Sequence, residues 1–173
     1  MRSLPDPGFA DDDGAATPAL TAALRAYASN PDRLHDATLA VLQQQRLLVP
    51  VVAVLGEMEI GGGDDSQRLP GEKSSDMATV LMRGRDGRTA LLAFTGTQTL
   101  NRWNAEARPV PVLAATAAEA AVADHASALL IDVAGPVMFV VEGDDLQALA
   151  AGEVLMRLGD QVSGRYGWVR PDP

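Results

Sequence analysis

Residues 77–94 read "MATVLMRGRDGRTALLAF", and the fold turns on them. Two apolar runs flank Asp86-Gly87. A type I′ turn needs positive φ at both central residues, which is the conformation Asp-Gly favours. The stretch therefore predicts a β-hairpin. Thr97 follows as an expected N-cap for a short helix carrying Leu100 and Trp103.

Upstream lies "RLLVPVVAVL", residues 46–55, a continuous valine-rich run that predicts a strand buried on both faces. Pro50 lacks a backbone donor, so the run implies an edge position, a bulge, or a strand beginning after the proline. Two helix starts precede it. Thr17-Pro18 leads into Leu20, Leu24 and Tyr27, and Asn30-Pro31 into Leu34, Val41 and Leu42, ending near Gln45. Residues 56–76 are polar and glycine-rich, a loop long enough to be either functional or disordered.

Downstream, "RPVPVL" predicts a short extended segment. Thr116 with Glu119 forms a capping box ahead of an alanine-rich helix. "SALLIDVAGPVMFVVEG" reads as strand, Ala-Gly-Pro turn and strand, and Asp144 or Asp145 starts a last helix through Leu149. The expected fold class is thus α/β (α+β), a two-layer single domain with a mixed sheet, a central β-hairpin and packed helices. Residues 1–16 hold prolines, glycines and three consecutive aspartates, and are expected as a disordered or loosely ordered arm. Residues 17–152 form the domain. Residues 153–173 carry no pattern that assigns them, and stand as a C-terminal tail.

Composition narrows the function. At 173 residues the chain holds one core, and with only 4% aromatic residues that core is built from Ala, Val and Leu. A net charge of −9 disfavours nucleic-acid backbones and anionic membranes. No cysteine is present, which excludes disulfides, thiolate metal sites and cysteine nucleophiles. The N-terminus lacks an apolar signal-peptide core, and no apolar run approaches the ~20 residues of a membrane helix. A cytoplasmic protein is expected.

From Val49 to Gly152 the chain resembles the SseB N-terminal-like family of bacteria. "LVPVVAV", "GEKSSDMATVLM", "DGRTALLAFTGTQTLNRWN", "ARPVPVLAATAAEAA" and "ALLIDVAGPVMFVVEGDDLQALA" carry the resemblance in order. Its loop and turn phrases are most similar to the actinobacterial branch. The resemblance implies an α/β domain in the bacterial cytoplasm and, the family having no established catalytic site, assigns no reaction. One departure is Gly96, where the family pattern leads one to expect serine.

The remaining question is chemistry. "RLPGEKSSDMATV" holds the chain's single lysine, Lys73, beside Ser74. A phosphate loop needs glycine directly before that lysine and another five residues earlier, but Glu72 and Gln67 stand there. His35 and His125 lack the spacing that puts two metal ligands on one helix face. Catalytic residues, metal ligands and cofactors are therefore all expected to be none. The candidate binding residues are Lys73, Ser74, Thr95, Thr97, Arg102, Trp103 and Trp168. Thr95 and Thr97 mark a strand–helix junction whose backbone donors suit a small anion. The expected function is a noncatalytic binding or regulatory module, contacting a protein partner, a second copy of itself or a small ligand. The alternative is a small enzyme or metabolite sensor with a cleft at the Thr95–Thr97 junction.

Overall fold

The computed structural model describes residues 9, 12–54, 76–159 and 164–171. Helix α1 (Pro18–Ser29) starts where Thr17 Oγ1 accepts the Leu20 N–H at 3.3 Å, and its buried residues, Leu20 and Leu24, lie one turn apart. Helix α2 (Pro31–Leu42) buries Thr38, Leu39 and Leu42, whereas Leu34 and Val41 are only half-buried. The buried stripe is rotated from the expected one because α2 packs on α1, where Thr38 Oγ1 donates to the Ala23 carbonyl at 3.4 Å.

Strand β1 (Arg46–Val54) runs straight through Pro50. It lies between β2 (Asp76–Thr79) and β5 (Arg108–Leu113), antiparallel to both. Alternation explains how a central strand tolerates the proline. Leu48 exchanges two 2.8 Å hydrogen bonds with Phe94, on the side away from β5. Pro50, two residues on, faces that same side. There β1 changes neighbour from Phe94 to β2, whose pairing starts at Val51↔Thr79, so the missing donor falls in the gap. Pro109 and Pro111 sit opposite Pro50 and Leu48, which turns their donor-less nitrogens to the outer edge of β5.

The hairpin forms as expected from β3 (Leu81–Arg83) and β4 (Thr89–Ala93), with Leu81 opposite Leu91. Its turn differs. Gly84 N–H bonds Arg88 O at 2.8 Å, Gly87 N–H bonds Gly84 O at 3.1 Å, and Gly87 alone carries positive φ, +82°. This is a three-residue loop closed by a left-handed glycine rather than a two-residue type I′ turn.

Helix α3 (Thr97–Trp103) follows β4, and helix α4 (Ala114–Ala123) follows β5 without a loop. The capping box at Thr116 does not form. The helix begins two residues earlier, where Ala114 N–H bonds Gln45 O at 3.1 Å, and Ala114, Ala117, Ala118 and Ala121 bury one face. Strand β6 (Ala128–Ile131) runs parallel to β4 and antiparallel to β7 (Phe139–Glu142). Helix α5 (Gly143–Ala150) leads into β8 (Val154–Leu158) and β9 (Arg165–Val169), an antiparallel hairpin in the unassigned tail.

The fold is α+β, with mixed and antiparallel sheets. Alternate residues of the strands face two clusters. Leu47, Val49, Leu91, Ala93, Leu129, Ile131, Phe139 and Val141 meet α1, α2, α4 and α5 in the larger one. Leu48, Leu92 and Phe94 meet Leu100 and Ala107 in a smaller one on the opposite face. The tail hairpin joins the larger cluster through Leu155, Tyr166 and Trp168. Gln43 holds it there by giving Nε2–H to Leu155 O and accepting Leu155 N–H, both at 2.8 Å, as a neighbouring strand would.

Candidate functional site

β4 and β6 are parallel, with Ala93 level with Ile131. Their C-terminal ends therefore open on the same side, the place where open sheets containing parallel strands hold ligands. Asp132 is the first residue past β6. Its N–H extends the ladder to Ala93 O at 3.0 Å, and its φ of +54° lies in the left-handed region that aspartate tolerates better than most side chains. Gly135 is needed beside it: Gly135 N–H bonds Asp132 O at 2.8 Å, and a Cβ there would sit 2.9 Å from the Asp132 Cβ.

This geometry turns the Asp132 carboxyl inward, where only 2% of the residue is exposed. Thr95 N–H donates to Oδ1 at 2.9 Å, Thr95 Oγ1–H to Oδ2 at 2.7 Å, and Thr99 Oγ1–H to Oδ1 at 2.5 Å. A buried charge is tolerable only when its acceptors are filled, and these threonines fill most of them.

Around this node is a cleft of about 290 Å³. Thr21, Leu24 and Arg25 of α1 form one wall, Gln98 and Thr99 of α3 another, and Pro136 and Val137 close it from the β6–β7 loop. Thr95 and Asp132 lie at its base, and Arg25 is exposed at its mouth. Arg25 makes no ion pair among the described residues.

The expected site residues separate. Thr95 belongs to the cleft. Thr97 does not, because its N–H donates to Gly14 O at 2.8 Å and its hydroxyl lies 3.3 Å from the same oxygen. Nor is Thr97 an N-cap; Gly96 holds that position, with no side chain to cap the helix. Two backbone donors of this junction are taken up within the chain, Thr95 N–H by Asp132 and Thr97 N–H by Gly14. Arg102 is exposed outside the cleft, and Trp103 packs on Phe94 with ring centroids 5.5 Å apart. Trp168 donates Nε1–H to Asp145 Oδ1 at 2.9 Å, docking the tail hairpin on α5. Lys73 and Ser74 lie outside the described residues.

Gly96 has a local reason. A Cβ there would sit 2.8 Å from Ala16 N and 3.0 Å from Gly14 O. The segment before α1 lies across the junction, pinned by Arg46, which gives NH2 to Asp12 Oδ1 at 2.6 Å and to Ala15 O at 2.8 Å and NH1 to Thr95 O at 3.0 Å.

The histidines serve structure. His125, at φ +56°, ends α4 in a Schellman motif, with Ala126 N–H on Ala121 O and His125 N–H on Val122 O. His35 stacks on Phe139 at 4.9 Å and lies 3.2 Å from Asp145 Oδ2. His35, Asp36 and Asp145 bring ligand-type atoms within 4.8 Å of one another, and Asp145 also accepts from Trp168 on Oδ1.

Asp132, Thr99, Gln98 and Arg25 are the cleft residues that sequence reasoning missed. The signal was an aspartate at the end of an apolar strand followed by Gly135-Pro136, a pattern that also fits an ordinary turn.

Fold and cleft together define a small α+β domain with a crevice at the ends of a parallel strand pair. The family model of the SseB protein N-terminal domain matches residues 20–148, and the chain belongs to that family. The match takes in nearly all of α1 and the whole of α2, upstream of the Val49 start expected from sequence, and stops within α5. No curated protein and no solved structure matches the chain. Among the described residues, no helix is long and apolar enough to cross a membrane.

Proposed function

We propose that the chain is a noncatalytic binding module that takes a small ligand in the cleft between α1, the β4–α3 junction and the β6–β7 loop. One observation carries this reading. The two threonine hydroxyls at the base donate to Asp132 rather than to the cleft, while Arg25 at the mouth makes no ion pair among the described residues. A hydroxyl donating to a carboxylate is also how a nucleophile meets its base, but Thr95 and Thr99 are only 4% and 8% exposed, which favours hydroxyls that brace the base of the cleft over nucleophiles presented to a bound molecule. Binding with regulatory readout is the role this suits. The bacterial cytoplasm suits a cysteine-free chain of net charge −9, and the arginine-rich composition suits the actinobacterial branch of the family.

The test is a thermal-shift screen of the whole chain against small metabolites, each hit repeated on Arg25→Ala. A ligand present at about 100 times its Kd raises Tm by about 5–10 °C. The reading requires at least one such hit that Arg25→Ala weakens. Hits that ignore Arg25→Ala count against the cleft.

A second reading, contact with another protein copy, rests on the tail hairpin. Met156, Leu158 and Val169 share its outer face and are 50%, 45% and 39% exposed. Its check is the solution mass of Leu158→Glu: a drop from dimer to monomer supports it, and a wild-type monomer removes it.

A further inference from the structure

The chemistry of the cleft specifies what kind of small molecule it holds, an inference that rests on the cleft being the binding place. Among the described residues two charged groups line it, the Arg25 guanidinium and the Asp132 carboxylate. A carboxylate offers about four acceptor positions. Thr95 N–H and Thr99 Oγ1–H occupy Oδ1, and Thr95 Oγ1–H occupies one position on Oδ2. Among the described residues, one position on Oδ2 is left for a ligand donor.

The three donors to Asp132 are neutral groups, and no cationic side chain among the described residues forms an ion pair with it. A cationic donor completes the site better than a neutral hydroxyl, because a buried charge gains most from a hydrogen-bonded partner of opposite sign. Arg25 presents the opposite requirement. Its planar fork matches a carboxylate, and no acidic side chain among the described residues occupies it. Leu24, Pro136 and Val137 supply apolar wall, and a volume of about 290 Å³ sits at the small end of the ~300–1,000 Å³ ligand-pocket range.

We propose that the cleft binds a small zwitterion of the amino-acid class, with its ammonium on Asp132 Oδ2, its carboxylate on Arg25 and a short apolar side chain on Leu24 and Val137. Neither charged end is sufficient alone. A simple carboxylate leaves Asp132 facing an apolar group, and a simple amine leaves Arg25 in water.

Calorimetric titration of the full chain tests this with alanine and valine against their singly charged counterparts, propionate and ethylammonium. The zwitterions are expected to bind at least about tenfold tighter than either counterpart. Arg25→Ala should weaken them at least about tenfold, and Arg25→Lys by less, since lysine keeps the charge and loses the fork. Arg102→Ala, an exposed arginine outside the cleft, should bind as the parent does. If propionate or ethylammonium binds as tightly as alanine, with the same loss in Arg25→Ala, the zwitterion assignment is wrong and the cleft reading stands. Equal losses in Arg25→Ala and Arg102→Ala overturn the assignment as nonspecific charge attraction. Absence of binding by both zwitterions overturns it as well, and the cleft reading then stands or falls with the metabolite screen.

Discussion

Thr95 holds both oxygens of Asp132 at once, its N–H on Oδ1 at 2.9 Å and its hydroxyl on Oδ2 at 2.7 Å. The two residues come from the ends of parallel strands, β4 and β6, so this pair of hydrogen bonds ties the crevice together where the strands stop. Thr99 adds a third donor from α3, which ties the helix to the same carboxylate.

Removing that carboxylate should cost far more than a surface change. Asp132→Ala leaves the Thr95 N–H and hydroxyl buried without their acceptor, while the Thr99 hydroxyl falls back on the Gly96 carbonyl 3.1 Å away, for an expected loss of about 2–4 kcal/mol. Thr95→Ser keeps both donors and should lose under about 1.5 kcal/mol, whereas Thr95→Val loses the hydroxyl and should fall between the two. Urea unfolding midpoints at constant slope give the comparison. Equal stability for Thr95→Ser and Thr95→Val would show that the hydroxyl contributes nothing.

Gly96 reports on the segment before α1. Gly96→Ser introduces a Cβ 2.8 Å from Ala16 N and 3.0 Å from Gly14 O, with a φ of −162° that any residue can adopt. The clash is with the arm rather than with the core. Proteolysis should become faster between Asp12 and Ala16, with Tm falling by only a few degrees, roughly 1 kcal/mol. Unchanged cleavage in this stretch would mean that the arm does not need the glycine.

The tail hairpin depends on two side chains distant in sequence. Gln43→Ala deletes both hydrogen bonds to Leu155, and Trp168→Phe deletes the one to Asp145. Each should cost about 1–2 kcal/mol, and amide-exchange protection at Leu155 should fall more than at Leu129 in the sheet. Loss of protection spread evenly over both sites would indicate that the hairpin and the sheet unfold as one unit.

The turn of the central hairpin carries a pH signature. The Arg88 side-chain hydrogen bond is the main cause that holds the Asp86 carboxyl below its ordinary value of 3.8. Arg88 Nε lies 2.7 Å from Asp86 Oδ2, and its NH1 lies 3.1 Å from Glu142 Oε2. With a lowered folded value, the contribution of Asp86 to stability is complete above its unfolded value and is lost as pH falls through the folded one. Both groups are exposed, so the effect on unfolding is small and is better read at the residue. Carbon-detected titration should place Asp86 below 3.8, returning toward it in Arg88→Ala. A midpoint that does not move in that variant would break the assignment.

Local chemistry made the helices and the hairpin legible. Thr17-Pro18, Asn30-Pro31 and the apolar arms around Asp86-Gly87 act within a few residues, and the elements stand where they point. Apart from the hairpin turn, whose three-residue form is set locally by Gly87, the misreadings share one cause, a distant partner. Thr116 had a good local cap pattern, but the Ala114 N–H already has an acceptor in Gln45. Pro50 looked incompatible with a central strand until Phe94 and β2 divided its neighbours. The tail offered no pattern because its order comes from Gln43 and Asp145. The cleft was half legible: Thr95 marked the junction, whereas Asp132 and Arg25 join it only when β6 pairs with β4 and α1 packs alongside.

The most direct measurement is an amide-shift map of the isotope-labelled chain titrated with the metabolite that gives the largest thermal shift. Ligand binding in the cleft predicts saturable shifts concentrated at Thr95, Gln98, Thr99, Asp132 and Val137, absent in Arg25→Ala. Shifts concentrated on the β8–β9 hairpin, or a saturable set that skips the cleft residues, would contradict the account.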